Sequence, residues 1–177
     1  MSTPVGVLVA ATYATPAGPL VVVVDPHAAG DLGPSDFGAV VASTFRGLDD
    51  AVHRLTDAVR VRPRTKVPAI AEVLARYGDG DIAALDEVPV LQPGGPFQQQ
   101  VWRAMRTIRA GSVDTYAGLA RRAGSPRASR AAGTACAQNL VAPFVPCHRV
   151  IAANGLGGYG YGIDLKVALL EHEGVLL

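Results

Sequence analysis

Cys147 and His148 are adjacent in the string Pro146-Cys147-His148-Arg149-Val150, which lies between two apolar runs, Val141–Val145 and Val150–Ala153. A cysteine held this way is either an inert buried thiol or a nucleophile at a fixed backbone position. Only the thiolate attacks at a useful rate, and a neighbouring imidazole can take up the thiol proton. Glu173, at the end of a C-terminal segment whose pattern predicts a helix over Ile163–His172, is suited to orient such a histidine. Gly155, Gly157, Gly158, Gly160 and Gly162 form a loop just beyond the cysteine, where a chain without side chains can approach a flat ligand closely. These residues leave two chemistries open. One is a cysteine hydrolase with an acyl-enzyme, and the other, once an arginine-bearing helix-turn-helix stands beside the thiol, is a thiolate that acts directly on DNA.

The second cysteine, Cys136, lies eleven residues before Cys147. Two cysteines without a Cys-x-x-Cys pair cannot form a four-thiolate zinc site, and a disulfide is disfavoured in a reducing compartment. One reactive thiol and one inert thiol is the expectation, with a simple pair of core cysteines as the alternative.

The elements that must position these groups fall into two parts. Val5–Tyr13 and Leu20–Val24 read as valine-rich strands joined by a hairpin turn over Thr15–Pro19. Phe37–Phe45 fits a third strand, although its spacing also suits a helix. Helical spacing of apolar residues runs through Leu48–Val59 and again through Ala69–Tyr77. A polar, Gly/Pro-rich connection from Gly78 to Pro96 follows, and the boundary is placed at residue 91. The expected domains are therefore 1–91, α/β with a small antiparallel sheet, and 92–177, mainly helical.

In the second part, Phe97–Ile108 is amphipathic and Thr115–Ala123 is a short helix with Leu119 and Ala120 facing inward. Ser125 can cap a third helix, Pro126–Gln138, built from small residues and arginine. Two short helices joined by a glycine-containing turn have the sequence form of a helix-turn-helix. The third helix, through Ala128, Ser129, Ala131, Gly133 and Ala135, permits close backbone approach to nucleic acid.

Of 177 residues, 49% are apolar and 18% charged, which supports a buried core and argues against disorder. No signal-peptide pattern and no long apolar run are present, so a cytoplasmic protein without a membrane segment is expected. The net charge of +1 hides an asymmetry: residues 1–92 carry 7 Lys+Arg and 11 Asp+Glu, while 93–177 carry 9 and 4. Eight arginines and a single acid, Asp114, lie between Pro93 and Arg149. That stretch fits an anionic polymer partner, since the guanidinium fork pairs with phosphate, and fits equally an ordinary solvated face.

Pro146–Val150, the Arg130…Asn139…Cys147 spacing and the ending Leu169-Leu170-Glu171-His172-Glu173-Gly174 resemble the O6-alkylguanine-DNA alkyltransferases, also called methylated-DNA–protein-cysteine methyltransferases. The resemblance is close over Gly95–Gly174, including Phe97-Gln98, Val101-Trp102, Thr115-Tyr116, Leu119-Ala120 and Ser129-Arg130-Ala131, and loose over Thr15–Leu20. It implies a stoichiometric, suicidal transfer of the alkyl group from O6 of guanine to the protein's own cysteine, after base flipping, with no metal and no cofactor. It implies Cys147 as acceptor, His148 as its base through a water, and Glu173 as the group polarising that histidine. Tyr116 would donate toward guanine N3, and Asn139 would brace the active-site turn. The Val150 carbonyl would accept from the guanine amine, while Tyr159 and Gly160 would cover the base. Arg130 would enter the duplex in place of the flipped nucleotide, with Arg127, Ser129, Ala131 and Gly133 also on the DNA. The implied partner is double-stranded DNA containing O6-alkylguanine, bound through its minor groove by a monomer. The chain departs from the family at Leu140 and Ala142, where prolines are usual, at Arg109-Ala110, and at Tyr161, an extra aromatic in the glycine loop. No residue of the N-terminal part receives a function from the resemblance.

Overall fold

The computed structural model describes residues 6–55 and 59–177. The chain divides into two compact units, Met1–Gln92 and Pro93–Leu177.

In the first unit, β1 (Val7–Tyr13) and β2 (Leu20–Asp25) pair antiparallel, with Val9 opposite Val24 and Tyr13 opposite Leu20. Val5, expected in the first strand, lies outside the described residues. The segment whose spacing suited strand or helix is β3 (Ala39–Thr44), antiparallel to β2. Its β-branched residues extend the sheet beside a central strand covered on both faces, which is why Leu20–Val24 is an unbroken buried run. Gly38 enters β3 at φ +87°, where a Cβ would collide with the Asp25–Pro26 backbone.

Three expectations need correction here. The sheet, order β3-β2-β1-β4, is mixed rather than antiparallel, because β4 (Arg60–Pro63) runs parallel to β1. A helix between β3 and β4 carries the chain back across the sheet, so the fourth strand arrives in the direction of the first. The helix expected over Leu48–Val59 is α1, Leu48–Arg54, with Leu55 already extended; residues 56–58 lie outside the description. The connection from Gly78 to Pro96 is not a loose link. After α2 (Pro68–Gly78) it makes a 3-10 turn, Ala84–Glu87, with Ala84, Leu85, Val88 and Val90 buried and Val90 bridged to Val40. Those apolar residues are too few and too irregularly spaced to show a period.

The second unit begins with α3 (Pro96–Arg106), where the Gln98 side chain accepts from the Gly95 amide at 2.8 Å. Trp102 donates its indole N–H to the Ala135 carbonyl at 2.9 Å, tying α3 to α5 (Ser129–Ala137). Between them lies α4 (Tyr116–Arg122), capped by the Thr115 hydroxyl, which accepts from the Gly118 amide at 3.0 Å. α5 starts three residues later than the sequence suggested. Residues 126 and 127 form a turn closed by the Ala128 amide on the Ser125 carbonyl at 2.9 Å, and Ala128 is the N-cap. The fixed φ of proline suits the second position of a turn as well as a first helical turn, so Pro126 could not discriminate. Arg127 therefore sits on the turn before the helix. The remainder is a two-residue parallel ladder of β5 (Asp114–Thr115) with β6 (Val150–Ile151), a 3-10 turn at Cys147–Arg149, and α6 (Ile163–His172). Among the described residues no helix is long and apolar enough to cross a membrane.

Candidate active site

The cysteine-bearing turn hangs from a buried apolar anchor. Val141, Ala142, Phe144 and Val145 are enclosed, and β6 leaves the turn to pair with the strand that precedes Tyr116. Asn139 spans the turn from inside: its Nδ2 donates to the Val145 carbonyl at 2.8 Å and lies 3.3 Å from Cys147 Sγ, and its Oδ1 accepts from the Val141 amide at 3.2 Å. One buried amide thus holds the backbone on both sides of the cysteine and offers a donor to the sulfur. Leu140, where the family has proline, leaves this brace in place.

His148 is completely buried. Its Nε2 lies 2.9 Å from Glu173 Oε1, and its Nδ1 is buried with no hydrogen-bond partner among the described residues. Glu173 is the C-cap of α6. Arg149, also enclosed, clamps the same carboxylate with two nitrogens, Nε at 2.9 Å and Nη2 at 3.0 Å, and donates Nη1 to the Ile108 carbonyl at 2.8 Å. Burial lowers the His148 pKa more than Glu173 raises it, so the imidazole is neutral. Burial alone would raise the Glu173 carboxyl, but hydrogen bonds from His148 and Arg149, with the charge of Arg149, hold it at about 2. With His148 neutral, the positive charge facing that carboxylate is Arg149. An ionised carboxylate then fixes the imidazole tautomer by accepting from Nε2, leaving Nδ1 as the basic nitrogen.

Burial raises the Cys147 thiol, while hydrogen bonds from Asn139 and Tyr159, the charge of Lys166 and a backbone hydrogen bond favour the thiolate. Lys166 is buried on α6. Its ammonium donates to the carbonyls of Val150 (2.7 Å), Leu156 (2.6 Å) and Gly158 (3.2 Å) and lies 5.9 Å from the Tyr159 ring centroid. The glycine loop is therefore gathered around one buried cation. The Val150 carbonyl, in β6 at the root of the loop, is one of the three that accept from this ammonium. Tyr159 and Tyr161 pack edge-to-face at 5.6 Å. Tyr161 thus buttresses the neighbouring aromatic ring. Gly160 is exposed on the same loop.

Tyr116, half-buried at the start of α4, has its ring between two glycines: added Cβ atoms at Gly133 and Gly157 would stand 3.6 and 3.5 Å from it. Gly157 also has φ +71°, which strains any side chain, and a Cβ there would stand only 3.1 Å from the Ala152 amide nitrogen. Burial, and then the two nearby thiols, raise the Tyr116 pKa, so its hydroxyl keeps its proton and can donate it.

On α5, Arg130 and Ala131 are exposed, Ser129 and Gly133 half-buried, and Arg127 exposed on the preceding turn. Arg149 does not belong to the outward basic stretch in which the sequence placed it, because it is turned into the core. Neither Arg149 nor Lys166 stood out as a site residue in the sequence. Arg149 was in view inside the Pro146–Val150 string, but a cation beside Cys147 reads as ligand-facing until its partner Glu173 is brought up from twenty-four residues away. Among the described residues no group of three His, Cys, Asp or Glu could hold a metal ion.

A family model, the DNA-binding domain of 6-O-methylguanine DNA methyltransferase, matches residues 96–175. A methylated-DNA–protein-cysteine methyltransferase of Shigella flexneri is 42% identical over 114 residues, covering 64% of this chain and 67% of that protein. One from Mycolicibacterium paratuberculosis is 43% identical over 134 residues, 75% of this chain and 80% of that protein. A Mycobacterium tuberculosis OGT crystallised in complex with DNA superposes with a TM-score of 0.70 at 31% identity, over 93% of this chain and 92% of that one.

Proposed function

The chain belongs to the methylated-DNA–protein-cysteine methyltransferase family, and from that premise we propose that it repairs DNA by moving the alkyl group of O6-alkylguanine onto Cys147, once per molecule. The carrying observation is the arrangement around the thiol: Asn139 beside the sulfur, and a neutral, buried His148 held on a carboxylate that Arg149 keeps ionised.

The Cys147 proton passes to His148 Nδ1, with a water as the relay of the family. The thiolate attacks the alkyl carbon from the side opposite O6, forming the S–C bond as the C–O bond breaks. The electron pair of that bond remains on the purine, and Tyr116 supplies its proton toward N3 as negative charge develops. Tyr159 and Gly160 cover the base, with the Gly160 amide toward O6, and the Val150 carbonyl receives the exocyclic amine. The product is a thioether. A thioether carbon bears no leaving group that water can displace at neutral pH, so the protein is consumed.

O6 inside a stacked duplex cannot reach a thiol set half-buried in the protein, so the nucleotide must be extruded. In this reading α4 and α5 act as a helix-turn-helix whose small-residue face, Ser129, Ala131 and Gly133, enters the minor groove, with Arg127 on phosphate and Arg130 in the vacated stack. Phosphate contacts then dominate affinity, as a repair protein indifferent to sequence requires. The protein acts as a monomer, and the chemistry calls for neither metal nor cofactor.

The test is intact mass before and after mixing with a duplex that carries one O6-methylguanine. A gain of one methyl in place of one hydrogen, mapped to Cys147, is expected. Several turnovers per protein, or the label on Cys136, would contradict the proposal.

A further inference from the structure

The first unit carries a cationic face that the alkyl-transfer chemistry does not use. In β4 the parallel register sets Arg60 beside Val7 and Arg62 beside Val9, so both arginines share one sheet face with those valines. Val61, on the opposite face, packs against the core of Leu8, Ala10, Val21 and Val23. Arg64 follows at the same two-residue step, and Lys66 two residues later, beyond a bend at Thr65. All four cations are exposed, and among the described residues none has an ion-pair partner. Elsewhere in this unit Arg54 pairs with Asp50 and Arg76 with Asp81 and Glu87.

The stretch is also held rigidly. The Arg64 amide donates to the Ala10 carbonyl at 2.8 Å, and the Val67 amide to the Tyr13 hydroxyl at 2.7 Å. Beside it opens a cleft of about 300 Å³, lined by Val9, Val24, Pro26, Phe37, Val67 and Pro68 with Arg64 and Lys66 at its cationic side. Guarding an open sheet edge accounts for Pro63 and a charge or two. It does not account for four cations on a fixed segment that borders an apolar cleft with an aromatic wall.

We infer that this face binds single-stranded nucleic acid, its phosphates along Arg60, Arg62, Arg64 and Lys66 and one unpaired base in the cleft beside Phe37. Cations every second residue along a strand recur about every 6.6 Å, comparable with the separation of successive phosphates on an extended single strand. A charged track with an aromatic wall is the recurring means of holding single strands without reading sequence. A duplex can meet the arginines, but its stacked bases cannot enter the cleft. Such a site would hold the unpaired strand at replication or repair gaps independently of the lesion.

The experiment is fluorescence anisotropy of a labelled, lesion-free 12-residue oligothymidylate with the full-length protein across a salt series. Arg60→Gln/Arg62→Gln/Arg64→Gln should lower the salt slope by about 2 units, at roughly 0.7 per phosphate released. Phe37→Leu should leave the slope unchanged and weaken the single strand about tenfold, the loss of one stacked base, while Phe37→Tyr retains affinity. The same Phe37→Leu change should not alter binding of a lesion-free duplex. Methyl transfer from the free O6-methylguanine base, which uses only the second unit, should match the parent protein in every variant. An unchanged salt slope in the triple variant overturns the inference, as does equal weakening of single strand and duplex by Phe37→Leu. A triple variant that alters the sedimentation coefficient without altering oligonucleotide binding would assign the face to a second copy of the chain, and overturns it too.

Discussion

Two neighbouring regions of the second unit each carry a cysteine, and they are built in opposite ways. The turn at 139–150 is polar and enclosed: Asn139, His148 and Arg149 are buried, and Arg149 and Asn139 each hold more than one partner. α5 buries only alanine on its inner side and exposes Arg130, Ala131 and Thr134. Cys136 on that helix has the Met105 sulfur at 3.8 Å, and burial, chiefly, pushes its thiol up to about 12. Cys147 is raised by burial as well, and the Lys166 charge opposes the rise at both thiols; only Cys147 also has side-chain donors, Asn139 and Tyr159, at its sulfur. A buried thiol without side-chain donors keeps its proton, whereas the donors at Cys147 favour the thiolate once a base takes the proton away. The enclosed region is built for fixed geometry, and the open helix for contact with something large.

The sharpest way to break this contrast is to exchange the cysteines' fates. Cys147→Ala should abolish the mass gain on methylated duplex, while Cys136→Ala should retain one methyl per protein; a persisting signal in the first variant would sink the assignment. Next in size, His148→Ala should slow transfer by roughly 10²–10⁴, the usual worth of a positioned base, with DNA affinity nearly unchanged. An unaltered rate in that folded variant would remove the relay.

Glu173→Gln tests the burial of charge rather than the base. It leaves Arg149 enclosed without its counter-charge, so stability should fall by about 3–5 kcal/mol in denaturant titration. The pH dependence has the same origin. The Glu173 carboxyl titrates at about 2 when folded, against 4.5 ordinarily, so its stabilisation is complete above pH 4.5 and is lost as the pH falls toward 2. The lowered pKa of His148 acts in the same direction below pH 6.5, because only the unfolded chain takes up that proton readily. Melting temperature followed from pH 7 to pH 3 should therefore drop in the parent, and less steeply in Glu173→Gln.

The smallest effects belong to the open helix and the turn before it. Arg127→Ala, a lost phosphate contact, should lower the salt slope of duplex binding by about 1 unit. Arg130→Ala should instead slow repair in duplex far more than in a short single strand, where little stacking opposes extrusion. Equal slowing on both substrates would make Arg130 a phosphate contact like Arg127.

What the sequence determined by itself is local or contiguous. Valine-rich runs marked β1 and β2, helical spacing marked α2, α3 and α4, and the Pro146–Val150 string with Asn139 and Glu173 marked the site. Such features survive in one dimension because a few neighbouring residues specify them. The tertiary structure decided the rest. The parallel arrival of β4 and the inward rotation of Arg149 and Lys166 depend on partners far along the chain, while the turn that delays α5 is a local choice that Pro126 permits either way. A charged residue's role follows from whether a counter-charge or a set of carbonyls is brought to it. Arg149 and Lys166 became interior supports because Glu173, Ile108 and the glycine loop converge on them. The same residue types at Arg60, Arg62 and Arg64 stayed outside because an edge strand brings no acid across from them among the described residues.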